Sequence, residues 1–227
     1  MPFINVNGIQ LHYEIEGNGT PLLIISGTGA DLRNPRPDYP TFEGFQVLRY
    51  DQRGLGQTAS PKGTYTMGDY ADDAASLLDN LEIDRINVIG ISFGGMVAQH
   101  LVTRYPSKVK KLVLACTSPG GEHFSSFDLR EILLDSSNKV ESWLQILDSR
   151  YKSSNDDLPT LNMIKDVLNK STKLFPNLVT DGLTRQLEAR SEHDCVNSLR
   201  DIPHQTLIVG GRYDDIEPLK NLLEMHK

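Results

Sequence analysis

The apolar residues of this chain change their spacing repeatedly between a period of two and a period of about 3.6. A chain whose strands and helices alternate in this way is expected to fold around an α/β sheet. From Leu22 onward the strand candidates are nearly continuous apolar runs, which indicates parallel strands covered on both faces. The strand candidates are, in chain order, INV, QLHYEIE, PLLIIS, FQVLRY, INVIGI, KLVLA and TLIVGG.

Local signals mark the turns and the ends of the first two helices. The first two strand candidates alternate polar and apolar residues, and Asn7-Gly8 between them predicts an antiparallel hairpin. The segment TMGDYADDAASLLDNL has helical spacing, and Thr66 stands three residues before Asp69 in the pattern of a capping pair. GGMVAQHLVTRYP predicts a second helix that ends before Pro106, whose ring cannot continue a helix.

Length and composition favour a single compact domain. With 227 residues, of which 38% are hydrophobic, the chain can bury one sizeable core. Residues 119–199 show no strand pattern and contain the amphipathic stretches DLREILLD, VESWLQILDSRY and LNMIKDVLNK. The prediction is a core sheet over 1–118, a helical lid inserted at 119–199, and a return to the core at 200–227.

Charge and composition argue against nucleic acid and membranes as partners. The 23 basic and 30 acidic residues give a net charge of −7, and the basic residues are scattered apart from one short group at 108–111. No apolar run is long enough to cross a bilayer, and the amino terminus lacks the basic start and apolar stretch of a secretory signal. Cys116 and Cys195 have no metal-ligand spacing, so we expect reduced structural thiols and a cytoplasmic protein.

Ser92 stands in the motif Gly90-Ile91-Ser92-Phe93-Gly94, between a strand candidate and a helix candidate. In that context G-x-S-x-G is typical of a nucleophile elbow, a strained turn that presents the serine hydroxyl above the sheet. The Phe93 N–H and the positive end of the helix would point at a developing oxyanion. The alternative is an ordinary strand-to-helix turn, since the bare motif also occurs by chance.

A second oxyanion donor is expected from the loop after the third strand. The segment IISGTGAD, residues 24–31, supplies a glycine-rich turn there, and we assign the donor to the N–H of Thr28. The alternative is a flexible connector, because Gly27 and Gly29 would serve one equally well.

Six segments together resemble the alpha/beta-hydrolase superfamily, and within it the branch of 3-oxoadipate enol-lactonase and related small esterases. The resemblance rests on the elbow, SGTGAD, VLRYDQRGLGQT, YTMGDYADDAASLLDNL, RYPSKVKKLVLACTSPGG and TLIVGGRYDDIEP. It implies that Ser92 is the nucleophile and that Asp214, in the frame G-x-x-D-x-x-x-P, is the catalytic acid. The neighbouring Asp215 is then expected to cap a helix, and Asp51 and Arg53 to brace a turn. The resemblance implies neither a metal nor an organic cofactor.

The chain departs from the family pattern in two places. Ser26 stands where many relatives have histidine, which leaves the Thr28 donor intact but changes the bracing of its loop. The family places its catalytic histidine after one further strand beyond the acid. The sequence stops at Lys227, so we expect the last strand, the last helix and that histidine to be absent. An uncovered edge strand would also favour self-association. The six histidines present are expected to be bystanders: His12, His100, His123, His193, His204 and His226.

These features predict a serine hydrolase of carboxylic ester or lactone bonds, impaired in the 227-residue chain. The alternative is a noncatalytic protein that keeps the pocket and binds a small molecule. Substrate choice would belong to the lid. There, Trp143 is expected to pack a lid helix onto the core, and Arg190 to be a solvated surface residue rather than a ligand for a substrate carboxylate. Enol-lactone, simple ester and carbon–carbon bond hydrolysis all remain open.

Overall fold

A seven-stranded sheet organises the chain. The computed structural model describes residues 2–33, 42–130, 132, 139–152, 166 and 180–227. The strand order is β1-β2-β4-β3-β5-β6-β7, antiparallel from β1 to β4 and parallel from there on. The strands are β1 (Phe3–Val6), β2 (Ile9–Gly17), β3 (Thr20–Ile25), β4 (Phe45–Tyr50), β5 (Ile86–Ile91), β6 (Val109–Ala115) and β7 (Thr206–Val209). All seven strand predictions and the mostly parallel α/β sheet are thereby confirmed.

The helices in the described residues begin and end largely where the sequence signals predict. Thr66 caps the first helix, and its side chain and that of Asp69 form the reciprocal capping box. The second helix ends at Arg104, just before Pro106. The helices are α1 (Met67–Asn80), α2 (Phe93–Arg104), α3 (Lys139–Leu147), α4 (Asp181–Ser191) and α5 (Leu219–Met225), with short 3₁₀ turns at Pro106–Lys108, Ser149–Lys152 and Ser198–Asp201.

The central strands are apolar on both faces because each face has its own core. Leu23 and Ile25 of β3 point into the large cluster that includes α1 and α2. Leu22 and Ile24, the alternate residues of the same strand, lie in a smaller cluster on the other face. Residues of β4 and β5 also lie in both clusters, and this two-sided burial explains why β3, β4 and β5 read as nearly continuous apolar runs.

Part of the predicted lid is described. Helix α3 corresponds to the predicted stretch VESWLQILDSRY, and Trp143 packs against a third apolar cluster that includes Ile146, Leu187 and Ile216, as expected. The predicted helix over 161–170 lies outside the described residues, apart from residue 166. The lid boundaries at 119–199 therefore stay a prediction. Within the described residues, no helix is both long and apolar enough to cross a bilayer.

Strand β7 forms one edge of the sheet. In the described part of the chain it pairs with β6 alone, and its Leu207 and Val209 side chains are 57% and 45% exposed. Such an edge offers unpaired backbone groups beside apolar side chains, which favours strand pairing between molecules. The self-association that the sequence suggests for this edge stays a prediction.

Candidate active site

Ser92 occupies a strained corner between β5 and α2. Its backbone angles are φ 53° and ψ −119°, a left-handed conformation that L-residues rarely adopt. Its N–H donates to the Ala115 carbonyl of β6 at 2.8 Å, and its carbonyl accepts from the Thr117 hydroxyl at 2.8 Å. These bonds hold the strained backbone from both sides, and the side chain remains half-buried. The corner thus has the geometry expected of a nucleophile elbow.

Two glycines make this corner possible by close backbone approach. A Cβ added to Gly94 would lie 2.0 Å from the Ile25 carbonyl oxygen, at the end of β3. A Cβ added to Gly90 would lie 2.4 Å from the Gly94 carbonyl oxygen. Real Cβ atoms do not approach backbone this closely, so side chains at these positions would force the strand end and the helix start apart.

The loop predicted to supply the second oxyanion donor lies against the Ser92 side chain. A Cβ built on Gly27 would be 3.9 Å from Ser92 Oγ, which places the Gly27-Thr28-Gly29 turn beside the hydroxyl. Among the described residues, neither the Thr28 N–H nor the Phe93 N–H donates to a protein acceptor. Both amides are therefore available for an oxyanion.

Two buried glutamines brace this loop, and sequence reasoning missed both. Gln52 Nε2 donates to the Ser26 carbonyl at 2.8 Å, and Gln186 Oε1 accepts from the Gly29 N–H at 2.8 Å. Gln186 comes from α4, which falls within the predicted lid, so this helix contributes directly to the shape of the loop. These contacts stabilise the turn that contains Ser26.

Asp51 and Arg53 have structural roles, as expected, although their partners differ. The buried Asp51 carboxylate accepts from the Leu32 N–H at 2.7 Å and the Gln57 N–H at 2.9 Å. Arg53 instead forms two 2.8 Å bonds with the Asp73 carboxylate of α1. Asp51 thus braces the loop after β3 at Leu32, while Arg53 ties the segment after β4 to α1.

Asp214 follows β7 and Ser92 follows β5. Both residues therefore lie beyond the carboxyl ends of the parallel strands, at the same end of the sheet. Asp214 Oδ1 accepts from the N–H groups of Ile216 at 2.9 Å and Glu217 at 3.0 Å. Burial raises the pKa of Asp214 above its ordinary value, although these two bonds oppose the shift. The expectation that Asp215 caps the next helix is wrong. That helix starts at Leu219 with Pro218 as its N-cap, and Asp214 is the residue that closes the preceding turn.

Cys116 lies between Ser92 and Asp214 along the edge of the sheet. It has a φ of 47°, and its N–H donates to the Val209 carbonyl at 2.7 Å. Burial, and then the nearby Asp214 charge, raise the pKa of the Cys116 thiol. The thiol is therefore protonated at neutral pH and is a poor nucleophile, in agreement with its expected structural role.

No histidine reaches Ser92 or Asp214 through a hydrogen bond. All six histidines fall within the described residues, and four of them have partners elsewhere. The partners are Asp51 for His12, His193 for His100, the Ser118 carbonyl for the other nitrogen of His193, and the Pro106 carbonyl for His204; His123 and His226 are exposed. The arrangement of these six residues does not supply the general base that a serine nucleophile needs.

Arg190 is buried, so its predicted place on the solvated surface is wrong. Its side chain is 5% exposed, and its Nη2 lies 3.2 Å from Glu217 Oε1. Glu217 also accepts from the Ser126 hydroxyl at 2.8 Å. Burial raises the pKa of Glu217 to about 7, and Arg190 opposes that shift. The pair lies next to a cavity of about 210 Å³ that Ser118, Ser126 and Arg190 help to line.

Replacing Arg190 with methionine is expected to destabilise the fold more as the pH rises. The folded-state pKa of Glu217 lies above its ordinary value of 4.5, so its contribution to stability is lost as pH rises through the window from 4.5 to about 7. Without Arg190 that pKa rises further, and the loss continues above pH 7 at up to about 1.4 kcal/mol per pH unit. Urea unfolding at pH 6, 7 and 8 measures the trend.

Arg130 provides the matched control for this prediction. It lines the same cavity but pairs with Asp128 at an exposed position. Arg130→Met is expected to change the free energy of unfolding by less than about 1 kcal/mol at every pH, because exposed ion pairs contribute little. An Arg190→Met loss that is equal at pH 6 and pH 8 would contradict the assigned role of Glu217.

Comparison with known proteins agrees with this geometry. Residues 20–156 match the family described as the alpha/beta hydrolase fold. The chain is 27% identical over 230 residues to a 2-hydroxy-6-oxo-2,4-heptadienoate hydrolase of Pseudomonas putida, covering 97% of this chain and 81% of that protein. It is 28% identical to a 2-hydroxymuconate semialdehyde hydrolase of a Pseudomonas species, covering 96% and 78%. Its structure superposes on the enol-lactonase of Burkholderia xenovorans with a TM-score of 0.76 and 26% identity, covering 99% of this chain and 86% of that one.

Proposed function

Because the chain belongs to the alpha/beta hydrolase fold family, we propose that its site cleaves carboxylic ester or lactone bonds through an acyl-enzyme on Ser92. The observation that carries this proposal is the strained corner at Ser92, with the Gly27-Thr28-Gly29 turn against its side chain. The likeness to an enol-lactonase supports the ester or lactone class of substrate. The two free thiols fit the reducing environment of a cytoplasm.

Each group has one task in the proposed reaction. Ser92 Oγ forms a bond to the substrate carbonyl carbon, and the carbonyl oxygen becomes an oxyanion that accepts hydrogen bonds from the Thr28 and Phe93 N–H groups. The bond from that carbon to the leaving oxygen then breaks, and the leaving alcohol takes up the proton that Ser92 lost. Water hydrolyses the acyl-enzyme by the same two steps. With a histidine added as general base, Asp214 would orient its ring, and the ring would carry the proton between these groups.

The second candidate function is noncatalytic binding of a small molecule in the same pocket. One observation favours it: none of the six histidines is hydrogen bonded to Ser92 or Asp214. Loss of the general base leaves the contribution of the oxyanion hole and of binding, about 10³-fold over water in a comparable serine hydrolase. We propose accordingly that the 227-residue chain acylates slowly and turns over poorly.

Trapping the acyl-enzyme tests the proposal without requiring fast turnover. The chain is incubated with p-nitrophenyl acetate at alkaline pH, where hydroxide can replace the missing base, and acetylated peptides are mapped by mass spectrometry. One acetyl group is expected on Ser92, and Ser92→Ala should remove it. Ser26→Ala is the matched control, since it changes a neighbouring serine while keeping the backbone donors. Acetylation at Cys116 instead, or saturable ester binding without any acylation, would argue against the hydrolase.

A further inference from the structure

Three metal-ligating side chains meet away from the candidate active site. His100 lies on α2, while His193 and Cys195 follow α4. His100 Nε2 is 3.1 Å from His193 Nδ1, and these two nitrogens and the Cys195 sulfur all lie within 4.8 Å of one another. His193 and Cys195 are buried, whereas His100 is partly open to solvent.

Backbone hydrogen bonds hold the two buried ligands in place. The His193 carbonyl accepts from the Gly121 N–H at 2.9 Å, and the Cys195 N–H donates to the Pro119 carbonyl at 2.7 Å. A Cβ added to Gly120 would lie 2.0 Å from the His193 carbonyl oxygen, so these two chain segments pack backbone to backbone. The cluster therefore has a preformed backbone instead of resting on mobile surface side chains.

The hydrogen bonds of His193 direct one ring nitrogen at the cluster. Its Nε2 lies 3.0 Å from the Ser118 carbonyl, which can only accept, so Nε2 carries the ring proton. Nδ1 then presents its lone pair to His100. A histidine whose second nitrogen donates to a backbone carbonyl is the usual arrangement of a metal ligand.

The same rings are uncharged at neutral pH. Burial lowers the pKa of His100 to about 4 and the pKa of His193 to about 3. Burial also raises the pKa of the Cys195 thiol to about 12, so without a metal the sulfur stays protonated.

We propose that His100 Nε2, His193 Nδ1 and Cys195 Sγ bind one Zn²⁺ ion, which clamps α2 to the segment that follows α4. On binding, the Cys195 thiol loses its proton to solvent, and the proton on His100 Nε2 moves to Nδ1, so one proton is released for each ion. A water molecule completes the coordination from a cavity of about 550 Å³ that His100, Asp194 and Cys195 help to line.

The observed spacing is close to what zinc requires. Tetrahedral Zn²⁺, with Zn–N bonds of about 2.1 Å and a Zn–S bond of about 2.3 Å, separates its nitrogen ligands by about 3.4 Å and nitrogen from sulfur by about 3.6 Å. The two nitrogens here are already 3.1 Å apart. The sulfur lies within 4.8 Å of both nitrogens, so each nitrogen–sulfur distance has to shorten by at most about 1.2 Å. Two imidazoles and a thiolate favour zinc over magnesium or calcium, which prefer oxygen ligands.

Metal titration of the full chain tests this site independently of hydrolysis. After treatment with a chelator, the protein is expected to bind one equivalent of Zn²⁺ in competition with a chromophoric indicator, and its thermal unfolding midpoint should rise. Co²⁺ should give a thiolate charge-transfer band together with the visible bands of a tetrahedral site. Loss of a residue that only hydrogen bonds to a metal ligand weakens metal affinity by about 10- to 100-fold. His100→Gln and Cys195→Ser each remove a ligand, so each should weaken zinc affinity by more than that.

Matched variants separate the proposed site from adventitious binding. His123→Gln and Cys116→Ser remove an exposed histidine and the other thiol, and both should bind zinc like the parent chain. Cys195 is buried, so its replacement is expected to disturb folding as well as zinc binding. Far-UV circular dichroism without metal is therefore recorded for every variant. His100→Gln provides the decisive comparison, because His100 is partly exposed. A parent chain that binds no stoichiometric zinc, or a folded His100→Gln that binds it equally well, would overturn the proposal.

Discussion

Ester hydrolysis is expected to rise about 10²- to 10⁴-fold when a histidine is supplied opposite Ser92 and Asp214. The change is a carboxyl-terminal extension of the chain by a strand and a loop that carries a histidine, in keeping with the order serine, acid, histidine of the alpha/beta hydrolases. The rise follows because the strained Ser92 corner and the two proposed donor amides are in place, whereas no histidine of the chain is hydrogen bonded to Ser92 or Asp214. Measuring kcat/KM with p-nitrophenyl acetate, before and after the extension, checks the prediction.

Three variants of the extended protein test whether the gain comes from a triad. Replacing the added histidine with alanine, or Ser92→Ala, should each return the rate to that of the original chain, because triad members act as a unit. Asp214→Asn should lower kcat by as much as about 10⁴-fold, since the histidine would lose its correct tautomer. Asp215→Asn is the matched control and should have little effect. A gain that survives Ser92→Ala would show that the added segment acts by another route.

Much of the fold was predictable from local signals. The central strand β3 is recognisable from its sequence because an apolar cluster covers each of its faces, as the neighbours Leu22 and Leu23 illustrate. The start of α1 was readable because Thr66 and Asp69 satisfy each other's backbone groups within a single turn. The Ser92 corner is also predictable from local sequence, because the strand, the serine between glycines and the helix follow one another directly along the chain.

The contacts that escaped prediction join residues far apart in the chain. Arg190 looked like a surface residue because its partner Glu217, 27 positions later, lies on a different element. Gln186 braces Gly29 over a separation of 157 residues, and no local pattern marks either residue. His100 and His193 are 93 positions apart and have no ligand spacing that a motif search would find. Only the folded sheet and lid bring such pairs together.

Asp215 shows a different kind of failure. An aspartate before an apolar stretch is a common N-cap, so the pattern favoured a helix starting there. In the structure the chain first makes a turn closed by Asp214, and Pro218 then sets the start of the helix. Proline is well suited to a helix start, because its fixed φ and missing N–H cost nothing there. Of the adjacent residues Asp214 and Asp215, it is Asp214 whose carboxylate closes the turn after β7.

The tight corner also predicts a large effect from one methyl group. Gly94 and Gly68 are both the second residue of a helix, in α2 and α1 respectively. A Cβ on Gly94 would lie 2.0 Å from the Ile25 carbonyl and 2.6 Å from the Ser26 carbonyl, whereas the nearest atom to a Cβ on Gly68 is 3.5 Å away. The same substitution therefore meets rigid backbone at Gly94 and only ordinary van der Waals contacts at Gly68.

Gly94→Ala is expected to lower the free energy of unfolding by about 3 kcal/mol or more, at or above the usual cost of overpacking, because backbone cannot rotate away as a side chain can. Moving the Ile25 and Ser26 carbonyls would also shift the loop that holds the Thr28 donor, so acylation of Ser92 should be lost. Gly68→Ala should instead stabilise the fold by up to about 1 kcal/mol, since alanine is the better helix former. Urea unfolding and the acetyl-trapping assay check both variants. If Gly94→Ala and Gly68→Ala were equally stable, Gly94 would not contact the end of β3. The Ser92 corner would then lack the close backbone contact on which the proposed oxyanion site depends.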